Sequence, residues 1–184
     1  MFTESIHEID SSITQLQLDL SIFPRSDHRR LKTIYFLASK RHFRYRQLNQ
    51  REDLDQEIGH LTELILLAPL LRLQRGPIIL YTLFRLAGAL FLRSNLSKQP
   101  EDGIYATKYL SHLRDQPHEI RGISRRQVKE LLRDAVALQV MLEAGNSSMA
   151  DVPGEFMITT GSRLLWARPV RSALTHCLQD LSTK

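Results

Sequence analysis

Leu31-Lys32-Thr33-Ile34-Tyr35-Phe36-Leu37-Ala38 is answered, 49 residues later, by Leu80-Tyr81-Thr82-Leu83-Phe84-Arg85-Leu86-Ala87. The first stretch runs on through Glu52-Asp53-Leu54-Asp55-Gln56-Glu57-Ile58 and stops at Pro69. The second runs on through Glu101-Asp102 and stops near Pro117. At the same offset Arg44 falls on Arg93, Glu52 on Glu101, Asp53 on Asp102 and Leu61 on Leu110. Within each stretch the apolar residues recur at three and four positions, the spacing that gathers them on one side of a helix. A helical pair repeated at a fixed period predicts an all-α chain of stacked helix pairs, each covering a face its neighbour cannot bury alone.

Before this stretch, Ile6 to Ile22 carries Ile6, Ile9, Ile13, Leu16 and Leu20 at helical spacing, and Pro24 ends it. Helices are expected over about 27–48, 52–67 and 77–96, and, after the break Ser97-Lys98-Gln99-Pro100, another to about Asp115. Ser124 is a candidate N-cap for a further helix to about Ala144, closed by Gly145-Asn146. At an offset of 45 the first helix matches the shorter helix of a pair, with Ile9, Ile13, Leu16 and Pro24 falling on Leu54, Ile58, Leu61 and Pro69. With A for the longer helix and B for the shorter, the order is B, A–B, A–B, A, as though taken from a longer array. Residues 1–146 are therefore expected to form one repeat domain. Residues 147–184 break the pattern: Pro153-Gly154 suggests loop, Phe156–Thr160 a short strand or irregular stretch, and Val170 to Leu181 a closing amphipathic helix.

Composition narrows the classes. With 184 residues and 42% hydrophobic content the chain can bury a continuous core. One cysteine, Cys177, excludes an internal disulfide framework and a cysteine zinc cluster. The opening Met-Phe-Thr-Glu-Ser-Ile-His-Glu has acids where a secretory signal needs basic residues, so an intracellular, cytoplasmic setting is expected. The most apolar stretch, Ile78 to Leu92, is short for a membrane span and is interrupted by Arg85, so no span is expected. The net charge of +5 is uneven: residues 1–24 hold Glu4, Glu8, Asp10 and Asp19 and none of the 25 Lys and Arg. Attraction between neighbouring helices accounts for this more simply than an anionic partner does.

The helix pairs resemble tetratricopeptide repeats of the long-period kind found in fungal arrays. The resemblance rests on Glu52-Asp53-Leu54-Asp55-Gln56-Glu57-Ile58, on Leu67-Ala68-Pro69 and on Leu37-Ala38, with a looser copy in Gln99 to Ala106. It covers about residues 6–145. It implies a right-handed α-solenoid of antiparallel helix pairs, about two full repeats plus flanking half repeats. It also implies a protein-interaction module without activity of its own, and it leaves residues 147–184 unexplained.

No pattern for chemistry competes with that reading. The seven histidines lack His-x-x-x-His or His-Glu-x-x-His spacing, and most are expected at the surface or at helix ends, with no metal. Gly161-Ser162-Arg163 lacks the glycine spacing of a nucleophile elbow, and a cysteine and histidine adjacent on a helix diverge. No glycine-rich phosphate loop occurs, so no cofactor and no catalytic residue is assigned. The strongest competitor is nucleic-acid binding through Lys40-Arg41-His42-Phe43-Arg44-Tyr45-Arg46, and through Arg121, Arg125, Arg126 and Lys129. Against it, the arginines can instead pair with Glu52, Asp53 and Asp55.

The expected function is thus a scaffold presenting a helical groove to a protein or peptide partner. Its candidate contact residues, taken from the A helices, are Tyr35, Arg41, Arg44, Tyr45, Phe84, Arg85 and Arg93. Tyr35 and Phe84 occupy equivalent positions, for which core packing is the stronger expectation. The alternatives are a basic nucleic-acid-binding protein and a non-functional fragment of a longer signalling protein.

Overall fold

A computed structural model describes residues 4–68, 77–98, 100–116 and 123–143. They form six helices: α1 (Ile6–Ile22), α2 (His28–Leu48), α3 (Arg51–Leu67), α4 (Pro77–Ser97), α5 (Pro100–Arg114) and α6 (Arg125–Glu143). The protein is all-α, and the helices pack mostly against their neighbours in sequence. The chain divides into two compact units, Met1–Arg75 and Gly76–Lys184. The expected strand at 156–160 and closing helix at 170–181 lie outside the described residues.

Each helix end has a local cause. Ser5 caps α1 in a capping box: its backbone N–H donates to Glu8 Oε2 at 2.7 Å, and Glu8 N–H donates back to Ser5 Oγ at 3.3 Å. Asp27 caps α2 by accepting from Arg29 N–H at 2.8 Å, so the helix begins one residue later than the expected boundary. Ser124 and Gln127 repeat the box at α6, with Gln127 N–H donating to Ser124 Oγ at 3.2 Å. Glu52 and Asp53 in the first turn of α3, and Glu101 and Asp102 in that of α5, suit the positive end of the helix dipole.

The first unit is a three-helix layer with α2 in the middle, packed on α1 and on α3. Ile9 and Ile13 of α1 meet Leu37 of α2, flanked by Leu16 and Leu20. Leu31, Ile34 and Ala38 of α2, and Leu54, Leu61 and Leu64 of α3, are buried. Full burial of one such leucine is worth about 1.5–3 kcal/mol. In the second unit α5 packs on both α4 and α6. Leu83, Leu86 and Ala87, then Ala106 and Leu110, then Leu131, Ala135 and Leu138 are buried there.

The period of 49 is visible in three dimensions. Both bounds of α4 lie 49 residues beyond those of α2, and α5 starts 49 residues beyond α3. Among the described residues two non-glycine residues have positive φ, Asn49 at 53° and Lys98 at 56°, and they too are 49 apart. Thr33 and Thr82 are both buried and donate to the carbonyl four residues back, at 3.1 and 2.7 Å. The two hairpins α2–α3 and α4–α5 therefore turn the same corner by the same left-handed residue. Asparagine tolerates that conformation, whereas lysine pays for its Cβ. Lys98→Gly is expected to stabilise the chain by about 0.5–1 kcal/mol, the relief of strain being partly offset by a more flexible unfolded chain. Urea unfolding read by circular dichroism tests this; an unchanged or lower midpoint would show that the lysine is unstrained.

Candidate functional site

A dense polar cluster lies in the α2–α3 hairpin. Asp53, in the first turn of α3, is fully buried. Arg44 of α2 grips it as a fork, Nε to Oδ2 at 2.8 Å and Nη2 to Oδ1 at 2.6 Å. Arg41, one turn back, adds Nη1 to Oδ1 at 3.0 Å. Arg44 also sends Nη1 to Asp10 of α1 at 2.6 Å, so one guanidinium ties all three helices of the unit. The second unit repeats the fork with Arg93 and Asp102, at 2.6 Å for Nε to Oδ2 and 2.8 Å for Nη2 to Oδ1. A bidentate guanidinium–carboxylate pair is among the strongest and most directional polar contacts in proteins. Here it fixes the angle at which the second helix leaves the turn.

The electrostatics follow from this geometry. Burial pushes the Asp53 carboxyl up, but the hydrogen bonds and charges of Arg44 and Arg41 outweigh it and hold the group below the usual aspartate range. The Asp53 hydrogen bond raises the Arg44 guanidinium above its usual value, against a smaller loss from burial, and Asp10 helps. A carboxyl depressed in the folded state stabilises the fold above its unfolded pKa, about 3.9. That contribution is lost as pH falls through the folded value. The first unit is thus expected to weaken in acid, starting near pH 4 and continuing below it. NMR titration of the side-chain carboxyl carbons tests the cause: Asp53 should stay ionised below the range of an exposed aspartate, and an ordinary titration would sink the account.

A second buried pair lies one turn further along. His42 Nδ1 is 2.8 Å from Glu57 Oε2, and the Glu57 side chain is fully buried. Tyr45 sits by it, its hydroxyl pKa raised by burial and then by the Glu57 charge. His60, on α3, is pushed down by burial, with Glu63 opposing and Arg41 reinforcing the shift. His42 departs from the expectation of surface or helix-end histidines. Tyr35, Ala38, His42 and Tyr45 lie along the buried side of α2, but Phe36, Ser39 and Phe43 have the same helical spacing, so spacing did not single out His42.

The seven candidate contact residues fall in both units, Tyr35, Arg41, Arg44 and Tyr45 on α2 and Phe84, Arg85 and Arg93 on α4. Tyr35, Arg41, Tyr45, Phe84 and Arg85 are all buried. Arg44 and Arg93 are partly exposed, but each is engaged by its aspartate. Tyr35 and Phe84 do pack as equivalent core positions. The exposed side of α2 is instead carried by Phe36 and Phe43, at 43% and 44% exposure. One helical residue is a turn of 100°, so a position misplaced by one crosses from surface to core.

The basic stretch 40–46 is largely spent within the fold. Lys40 pairs with Glu4 at 2.6 Å, Arg41 and Arg44 with Asp53, and His42 with Glu57. Of the three acids expected to take the arginines, Asp53 does so, while Asp55 lies 4.0 Å from Arg51. In the second cluster Arg126 pairs with Glu130 at 2.7 Å, and Arg121 lies outside the described residues. A shallow hollow of about 160 Å³ between α5 and α6 is lined by Arg114, Arg125 and Lys129 beside Leu113, Ile123 and Val128. Among the described residues no group of three or more His, Cys, Asp or Glu side chains could share a metal ion. No helix among them is long and apolar enough to cross a membrane. No family model, curated protein or solved structure matches the chain.

Proposed function

We propose that the chain is a protein–protein interaction module built from two tetratricopeptide-like helix pairs with flanking single helices. In this reading the pairs stack as a right-handed α-solenoid and present their longer helices to a protein or peptide partner, without catalysis. The observation that carries it is the recurrence at 49 residues of the helix bounds, the left-handed corner residue and the arginine–aspartate fork. A chain under selection for one catalytic centre has no need to build the same hairpin twice. Repeated rigid hairpins suit binding, because a partner that docks on ordered helices meets a surface whose entropy has already been lost in folding.

The presenting surface of the first pair is the exposed side of α2. Phe36 and Phe43 take the role that the sequence pattern assigned to Tyr35 and Tyr45, because the latter two are turned into the packing. Nucleic-acid binding is the weaker reading, since most cations of the basic stretch are matched by carboxylates of the same chain.

Affinity capture with the full chain tests the proposal, with nuclease treatment and two salt concentrations, followed by reconstitution with the purified candidate. A binary complex that survives nuclease and the higher salt is the expected result. Recovery of nucleic acid-dependent species alone, or of chaperones alone, would overturn it.

A further inference from the structure

We infer that the exposed face of α2 takes an acidic peptide segment carrying two apolar anchors about two helical turns apart. This rests on the proposed interaction role and specifies the partner it would serve. On a helical projection Lys32, Phe36, Ser39, Phe43 and Arg46 fall within about 100° of one another. The buried positions Leu31, Ile34, Ala38 and Tyr45 occupy the remaining arc. The two phenylalanines are seven residues apart, about 10 Å along the axis.

Both rings are held ready. Phe36 stands edge-on to Tyr35 with centroids 6.1 Å apart, and Phe43 stands edge-on to His42 at 6.4 Å. Tyr35 and His42 are themselves buried, so each exposed ring is braced by a fixed neighbour. Anchors ordered before binding lose little entropy when a partner covers them.

Charge chooses the occupant. The 21 residues of α2 include no Asp or Glu. Arg29, Arg30, Lys40, Arg41 and Arg44 are matched by Asp27, Glu63, Glu4 and Asp53 of the same chain. Lys32 and Arg46 have no such match among the described residues, and they flank the two rings at either end of the stripe. A partner with carboxylates outside its two apolar residues satisfies both cations and covers both rings. Two unmatched cations are too few to hold a nucleic-acid strand, whose affinity is built from many phosphate contacts. The counterparts in α4 differ: Phe36 corresponds to Arg85, which is buried, so the feature belongs to the first hairpin.

The test is selection from a displayed library of random peptides on the immobilised full chain, with the F36A/F43A double variant as counter-selection. Circular dichroism confirms that the variant keeps its helices, as expected for rings exposed by about two fifths. The expected result is enrichment of acidic sequences with two apolar residues near seven-residue spacing. Each single alanine should weaken a selected peptide about ten-fold, and charge reversal at Lys32 and Arg46 should abolish its preference for acid. Enrichment of neutral or basic peptides that still need the two rings would overturn the acidic partner while leaving the interaction role intact. No enrichment over the double variant would overturn the binding face itself. An oligonucleotide bound in anisotropy and lost in the double variant would transfer the face to nucleic acid and defeat the inference.

Discussion

Asp53→Ala is expected to cost about 3–5 kcal/mol of unfolding free energy, read as a large fall in the urea midpoint. The carboxylate is fully buried and accepts three short hydrogen bonds, two from Arg44 and one from Arg41. Removing it leaves the Arg41 guanidinium, itself only 6% exposed, inside the fold without its counter-charge. A buried pair broken on one side loses more than the pair contributed, because the surviving charge keeps its desolvation cost. Typical domains have about 5–15 kcal/mol in all, so the variant should lose a large share of its stability. Because the Arg44 link to Asp10 runs through the same guanidinium, α1 should loosen with α3. Asp102→Ala should cost less, since Arg93 is more exposed and no other arginine is seen on Asp102 among the described residues. A cost under 1 kcal/mol for Asp53→Ala would show that the network is a surface feature in solution.

Glu57→Ala is expected to cost about 3 kcal/mol, while the double variant H42F/E57A should return to within about 1 kcal/mol of the native chain or exceed it. The single change removes the buried carboxylate that faces His42 Nδ1 at 2.8 Å. The double change copies the other hairpin, where the positions 49 residues on are Phe91 and Ala106, both buried. The second hairpin carries buried apolar residues at both equivalent positions, so the polar pair is not a requirement of the hairpin. Replacing a buried polar pair by well-packed apolar groups is often neutral or stabilising. Denaturant unfolding of the native chain, E57A, H42F and H42F/E57A measures the coupling directly. Losses that simply add in the double variant would mean that the two side chains act independently, and the mimicry argument would fail.

Most of the fold was legible before any coordinates, because helices announce themselves locally. Proline after Phe23, the Ser124 cap, and the apolar period at three and four residues place the six described helices to within a residue or two. The repeat at 49 was also legible, since identical local plans leave identical sequence traces. The candidate site was much less so. Charged and aromatic residues fill α2 densely, and composition cannot say which of Tyr35 and Phe36, or of His42 and Phe43, faces inward. A helix wedged between two others has a narrow exposed arc, so an error of one position is enough to swap surface and core. Partner choice among the acids was equally hidden: Glu52, Asp53 and Asp55 all sit near Arg41 and Arg44 in sequence, and only the direction of α3 brings Asp53 to both.

Local sequence carried the all-α class, and the ends and the period of the six described helices. These depend on contacts within four residues of each position. The tertiary structure alone decided that the arginines are clamps, that His42 is buried against Glu57, and that Phe36 and Phe43 are the rings left at the surface. Those outcomes depend on how α1 and α3 are rotated about α2, which is set by the summed packing of side chains far apart in the chain rather than by any local signal.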